Sequence, residues 1–276
     1  MKLPKRKLFI GMAVATFFLL LMAFPFGPLL PWSPIKPGYN SVSHARADVY
    51  FNKAEAEPAD CRAVDQMMAE AEGFHGLKFQ KRVKVIDCKN WDDCGRSWFW
   101  MNVKPLGGIT LGTGDVIYLT PKIKERNFSL AEFLRHELSH ALISQNTSIR
   151  NSLKLTDQAW FSEGIAVWFG NQKAYLSREE FLEKAKTADL VKVIDPAQMD
   201  RTSPDWSARF AYPAQRYFLE YLKQTRGADQ FQSFLVKYIQ APDDYQTLFN
   251  EIYKQSLTDA VRQFEQAIRS GQWLPK

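Results

Sequence analysis

The stretch SLAEFLRHELSHALISQ, residues 129–145, decides the reading of this chain. Ser129 followed three residues later by Glu132 is a capping-box signature, so a helix opens here and runs to about Gln145. At 3.6 residues per turn His136 and His140 share one face, about 40° apart in projection. Two imidazoles one turn apart can hold one tetrahedral cation from the same side. Glu137 lies about 100° from His136, where it can flank such an ion without being forced to ligate it. That is the place for a general base acting on water. Leu130, Ala131, Leu134, Leu138, Ala141 and Leu142 fill the opposite arc, and Arg135 and Ser139 leave only a narrow polar stripe. The helix is expected to be embedded, with its histidine face in a cleft.

Two histidines leave a catalytic zinc short of the three protein ligands it usually takes. The chain has 4 His, and His44 in a tether-like segment and His75 near a turn are poor candidates. Trp160-Phe161-Ser162-Glu163-Gly164-Ile165-Ala166 reads as a second helix, apolar except for Ser162 and Glu163. A carboxylate in such a run is costly to bury unless it is paired or ligates a metal. Gly164 would let this helix pack closely against the first.

His136-Glu137-x-x-His140 followed by Ser162-Glu163-Gly164-x-Ala166 resembles the gluzincin metallopeptidases. The nearest flavour is the peptidase MA-like domain, and the aminopeptidase-type and thermolysin-like zincins are more distantly similar. The resemblance spans roughly Gly107 to Leu222. It implies Zn²⁺ held by His136, His140 and Glu163, with Glu137 polarising a water. It also implies a mixed sheet whose edge strand, Val116–Leu119, lines the cleft and accepts a substrate backbone by strand pairing. Gluzincins place a Tyr or His donor beside the developing oxyanion, and Tyr212, ahead of a helix beginning at Pro213, matches that role. Two positions depart from the pattern. Val167 stands where the thermolysin type has an acid, which leaves Asp157 or Asn151 for the shell behind the zinc. Gly107–Leu111 lacks the glutamate with which aminopeptidases bind a substrate amine, so an endopeptidase-like cleft is the preferred reading. Trp98, Trp100 and Tyr118 are aromatic candidates for subsites or for core.

Outward from these motifs the fold class reads as α+β: a zincin-like (thermolysin-type) core with a small mixed sheet, an active-site helix and a helical C-terminal half. A helix is expected over Pro58–Glu72, a strand over Lys78–Asp87, and a hairpin over Gly107–Thr120 turning at Gly112–Asp115. Ser177-Arg178-Glu179-Glu180 opens another helix. Further helices are expected near Trp160–Phe169, Pro213–Thr225, Asp229–Gln240, Asp244–Lys254 and Leu257–Ser270, with Gly170 and Gly227 as C-terminal caps.

The net charge of +6 at first suggests a nucleic-acid or membrane-surface partner. Its location removes the first of these. Residues 1–36 hold Lys2, Lys5, Arg6, Lys7 and Lys36 and no acid, which leaves 31 basic against 30 acidic residues in the rest. Leu8–Leu30 is 23 residues long and uncharged, enough to cross a bilayer as one transmembrane helix. The basic cluster before it places the N-terminus in the cytoplasm and the body outside, in a bacterial periplasm or at the cell exterior. No small-x-small cleavage site follows, so an uncleaved signal anchor is preferred to a signal peptide. The expected organisation is a basic tail (1–7), an anchor (8–30), a linker (31–47) and a metallopeptidase domain (48–276), the last divided into an α/β part (48–150) and a helical part (151–276). Among Cys61, Cys88 and Cys94, the exported side permits a disulfide, and Cys88 with Cys94 is the most local pair. The functional expectation is a membrane-anchored zinc metallopeptidase acting on a peptide or protein substrate. The alternative is a noncatalytic zincin-fold binding or scaffold protein at the membrane.

Overall fold

The computed structural model describes residues 12, 14–18, 30–33, 36–92, 94, 106–158, 160–172 and 175–273. The tail at 1–7 and most of the expected span at 8–30 therefore lie outside the described residues, as do Trp98 and Trp100. Among the described residues no helix is long and apolar enough to cross a membrane.

Among the described residues five strands form one mixed sheet: β1 (Tyr39–Ser43), β2 (Ala47–Asn52), β3 (Val83–Asp87), β4 (Gly108–Thr110) and β5 (Val116–Leu119), in the order β1-β2-β3-β5-β4. The three inner strands β2, β3 and β5 run parallel, and each edge strand is antiparallel to its neighbour. Parallel strands covered on both faces read as apolar runs, and β5 is buried at all four positions.

Two expectations need correcting here. The segment 31–47 is not only a linker: Tyr39–Ser43 pairs with Ala47–Asn52 as the outermost strand. Its Asn, Ser and Tyr content hid the strand, because an exposed edge strand has no apolar alternation to show. Nor is Val116–Leu119 the edge. It is enclosed between β3 and β4, and the strand at the rim is Gly108–Thr110.

The connections from β2 to β3 and onward, and the C-terminal half, are helical. They comprise α1 (Ala59–Arg62), α2 (Val64–His75), α3 (Lys122–Glu125), α4 (Leu130–Gln145), α5 (Ile149–Asp157), α6 (Trp160–Gly170), α7 (Arg178–Ala185), α8 (Val191–Ile194), α9 (Ala208–Arg226), α10 (Ala228–Gln240), α11 (Tyr245–Tyr253) and α12 (Leu257–Arg269). The Ser129 hydroxyl accepts from the Glu132 amide and starts α4 as its sequence requires. Ser177 and Glu180 form the full reciprocal capping box of α7. Helix α9 begins five residues earlier than Pro213, so Tyr212 lies inside it rather than before it. Helix α5 was not legible in the sequence, since Ile149 and Leu153 face outward.

One buried cluster is built on the sheet and contains Met68, Val83, Val85, Ile117, Leu119, Leu134 and Leu138. A second fills the helical half around Trp160, Phe161, Phe218, Phe234, Tyr238 and Phe264. Helix α4 contributes to both: Leu134 and Leu138 to the sheet cluster, Ile143 to the helical one. Tyr118, the remaining subsite candidate, is buried in a small cluster with Ile86 and the Cys88–Cys94 disulfide. Cys61 is a buried free thiol.

Candidate metal centre

Helix α4 carries His136 and His140 on the face that looks away from the sheet cluster, and α6 crosses it with Glu163 in its first turn. His136 Nε2 lies 3.0 Å from His140 Nε2, His136 Nε2 lies 3.5 Å from Glu163 Oε2, and His140 Nε2 lies 3.6 Å from Glu163 Oε1. A tetrahedral zinc with ligands at about 2.0–2.1 Å sets its donor atoms roughly 3.3 Å apart. The three side chains form a group that could hold a metal ion, two nitrogens and one oxygen with one side left open. The donor set and its spacing fit zinc.

The charges around this triad are arranged for the same purpose. Burial pushes the His140 imidazole down to about 4, which keeps it neutral and able to donate a lone pair. Burial also works to raise Glu163, but His140 and His136 outweigh it and hold the carboxylate in its anionic form. For His136 burial favours the neutral ring, and the adjacent Glu163 carboxylate reverses that and raises it. A cation in the triad would take the place of that proton.

Glu137 points to the opposite flank, toward β4. The Thr110 hydroxyl donates to Glu137 Oε2 at 2.7 Å and approaches its backbone carbonyl oxygen at 3.0 Å. A Cβ at Gly108 would lie 2.5 Å from Glu137 Oε1, so only glycine lets the rim strand lie against the carboxylate. Burial is the main reason that Glu137 is raised to about 7. A carboxyl group poised there can accept a proton and later release it.

Tyr212 faces the same space from α9. The Glu163 charge is the largest influence on its hydroxyl, followed by burial, and both hold it protonated. Its ring meets Tyr175 edge to face, with centroids 5.5 Å apart. The structure brings His136, His140 and Glu163 together with Glu137 beside them, and the Tyr212 hydroxyl lies near enough to feel the charges of Glu163 and Glu137.

No protein-family model matches the chain, and no curated protein matches it. Among solved structures, an M1 zinc metallopeptidase from Deinococcus radiodurans is similar at 13% identity and a TM-score of 0.39, covering 86% of this chain and 52% of that one. A point mutant of the same enzyme is similar at 12% identity and the same TM-score. The chain spans about half the length of these structures.

Four residues at or behind the site escaped the sequence reading. Thr110 and Gly108 lie in a stretch searched for an acid, whereas its use here is small size and one hydroxyl. Tyr175, half-buried in the loop after α6, feels the charges of Glu163 and Glu137. Gln172 is buried two residues beyond α6, and its amide favours the charged form of His136. His136 Nδ1 and both polar atoms of that amide are buried and make no hydrogen bond among the described residues. No sequence signal marks Gln172, because it reaches His136 only through the fold.

Three readings change. Asn151 donates to the Gln240 carbonyl and cannot stand behind the zinc, and the Asp157 side chain lies outside the described residues. Gly164 does not face α4: a Cβ there would lie 2.9 Å from the Gln215 carbonyl carbon on α9, and the glycine that admits α4 is Gly170, where a Cβ would lie 2.9 Å from the Glu132 carbonyl oxygen and 3.3 Å from the His136 Cβ. Ser139 is not a solvent stripe, since its hydroxyl bonds His75 Nε2 at 2.8 Å. His75 Nδ1 is in turn 2.8 Å from the Ala71 carbonyl oxygen, so the ring ties α2 to α4. His44 pairs with Glu57 at 2.5 Å, away from the triad.

Proposed function

We propose that the protein is a zinc metallopeptidase of gluzincin type, similar to the peptidase MA-like domains, that hydrolyses peptide bonds as an endopeptidase. One observation carries this reading: ligand atoms of His136, His140 and Glu163, one from each, lie within 4.8 Å of one another, with a buried, hydroxyl-held carboxyl group beside them. Zinc held there would supply Lewis acidity toward a peptide carbonyl and would acidify a water molecule. The chain's own residues supply the rest. Glu137, raised to about 7, takes the proton from the attacking water and delivers it to the leaving amine. Thr110 fixes the carboxylate orientation during both transfers. The Tyr212 hydroxyl, kept protonated, donates to the oxyanion. The rim strand Gly108–Thr110, at the edge of the sheet among the described residues, is where an extended substrate would pair.

The proposal includes attachment to a membrane through Leu8–Leu30, with the N-terminus cytoplasmic and the catalytic body outside. It is supported by the uncharged run of 23 residues and by the basic cluster that precedes it. The test of the chemistry is zinc quantification on the purified protein together with cleavage of a peptide library, using Glu137→Gln as control. Zinc at one per chain with cleavage lost in the variant is the expected result. A noncatalytic binding protein would hold zinc and cleave nothing.

A further inference from the structure

The exposed large apolar side chains of the described residues are Met12, Val14, Phe17, Phe18, Trp32, Leu106, Ile149 and Leu153. Four of them belong to the apolar N-terminal run. Of the remaining four, Trp32 touches the turn between β4 and β5, and Ile149 and Leu153 lie on α5, whose Ser152 lies beside that turn. The Trp32 indole donates to Asp115 in that turn at 3.3 Å. On the turn's other side, Gly112 faces Ser152 of α5, whose hydroxyl would lie 3.8 Å from a Cβ at Gly112. Ile149 and Leu153 sit one helical turn apart on the outward ridge of α5, each 62% exposed. Exposed Arg150 lies on the same outer face, and Lys154 is turned aside to pair with Asp243.

We infer that this face, Trp32 with Ile149, Leu153 and Arg150, rests on the surface of a phospholipid bilayer. The inference rests on the anchor reading above and not on the zinc chemistry. Its argument is where the chain leaves the apolar run. The described chain resumes at Leu30–Trp32, directly after that run, and Trp32 is tied to the turn beside α5. A membrane holding the apolar run that leads to Leu30, itself buried, would therefore lie near α5, which carries two exposed aliphatic side chains. The chemistry of the patch matches an interface. A tryptophan suits the headgroup level, paired aliphatics reach the acyl boundary, and an arginine meets lipid phosphates. Because the same turn continues into Thr110, this seating would set the rim strand at a fixed height above the bilayer and favour substrates presented close to it.

The test uses the full chain in vesicles of phosphatidylethanolamine and phosphatidylglycerol. Leu153→Cys and, as a solvent control, Arg262→Cys on the exposed side of α12 each receive a spin label. Cys61 is buried and its thiol is pushed up to about 12, mainly by burial, so the introduced cysteine is the reactive one. The expected result is an oxygen-to-nickel-chelate accessibility ratio severalfold higher at 153 than at 262, unchanged when zinc is chelated. Equal ratios at the two positions in protein that sediments with the vesicles would overturn the seating and leave the anchor standing. Failure to sediment would overturn both, and neither outcome would touch the peptidase reading.

Discussion

The sheet half and the helical half bury different side chains, and the candidate site is divided between them. Around the sheet the core is mostly aliphatic, with Val83, Val85, Ile117, Leu119, Leu134 and Leu138 stacked between strands and α4. In the helical half the core is rich in aromatics: Trp160, Phe161, Phe234 and Tyr238 meet in tilted, edge-to-face and stacked contacts 4.9 to 6.3 Å between centroids. Helix α4 brings His136, Glu137 and His140 on the sheet side. Helix α6 brings Glu163 on the aromatic side. The proposed ligation would therefore depend on two cores meeting correctly, while Glu137, the proposed general base, is held chiefly from the sheet half, by Gly108 and Thr110 of β4.

Removing a ligand from either side tests this division most severely. His140→Ala and Glu163→Ala should each abolish stoichiometric zinc, as read by elemental analysis, because two protein ligands do not make a stable catalytic site. Retention of a full equivalent in the α6 variant would show that the helical half is not part of the centre. Next in size is Phe161→Ala. It should cost about 3–5 kcal/mol of stability by opening an aromatic cavity under α6. Calorimetry should show the helical half melting earlier, and zinc affinity should fall with it although no ligand has been touched. A smaller effect is expected from Gln172→Ala, which removes only the buried amide that favours the charged form of His136. Zinc should bind about 10–100-fold more weakly, with the peptide-bond chemistry of the loaded protein largely kept.

The smallest effect belongs to the sheet half alone. Glu72 on α2 accepts from Arg46, from the Phe79 amide and from Lys78. Burial works to raise its carboxyl group, but these partners outweigh burial and hold it near 2, well below the ordinary 4.5. A carboxylate depressed on folding stabilises fully above its unfolded value. Its contribution should therefore be complete above pH of about 4.5 and fade as the pH falls toward 2. Glu72→Gln should flatten that acid limb of the melting temperature, and an unchanged limb would remove Glu72 from the account.

What the sequence could show follows the same division. The α4 motif was legible because every relevant spacing is local: four residues between ligands, one to the base, three for the cap. Glu163 was legible because a lone carboxylate in the run Trp160–Ala166 conflicts with its apolar surroundings. Tyr212 needed the resemblance to supply its role. Thr110, Tyr175 and Gln172 were not legible, since each reaches the site from a different element and none conflicts with its neighbours in sequence. The edge strands show the same limit. Tyr39–Ser43 is polar and lies in a segment that composition marks as tether, while Gly108–Thr110 is too short to show alternation. Sheet order is a tertiary fact, which is why β5 was assigned the rim that β4 occupies.

The most direct test of the central claim joins metal content to hydrolysis in one experiment. Wild-type protein, Glu137→Gln and His140→Ala are purified in parallel, assayed for zinc, and given the same peptide library. The account predicts one zinc per chain and cleavage in the wild type, one zinc and no cleavage in Glu137→Gln, and neither in His140→Ala. Cleavage that survives in Glu137→Gln, or a wild type that binds no zinc, would contradict it.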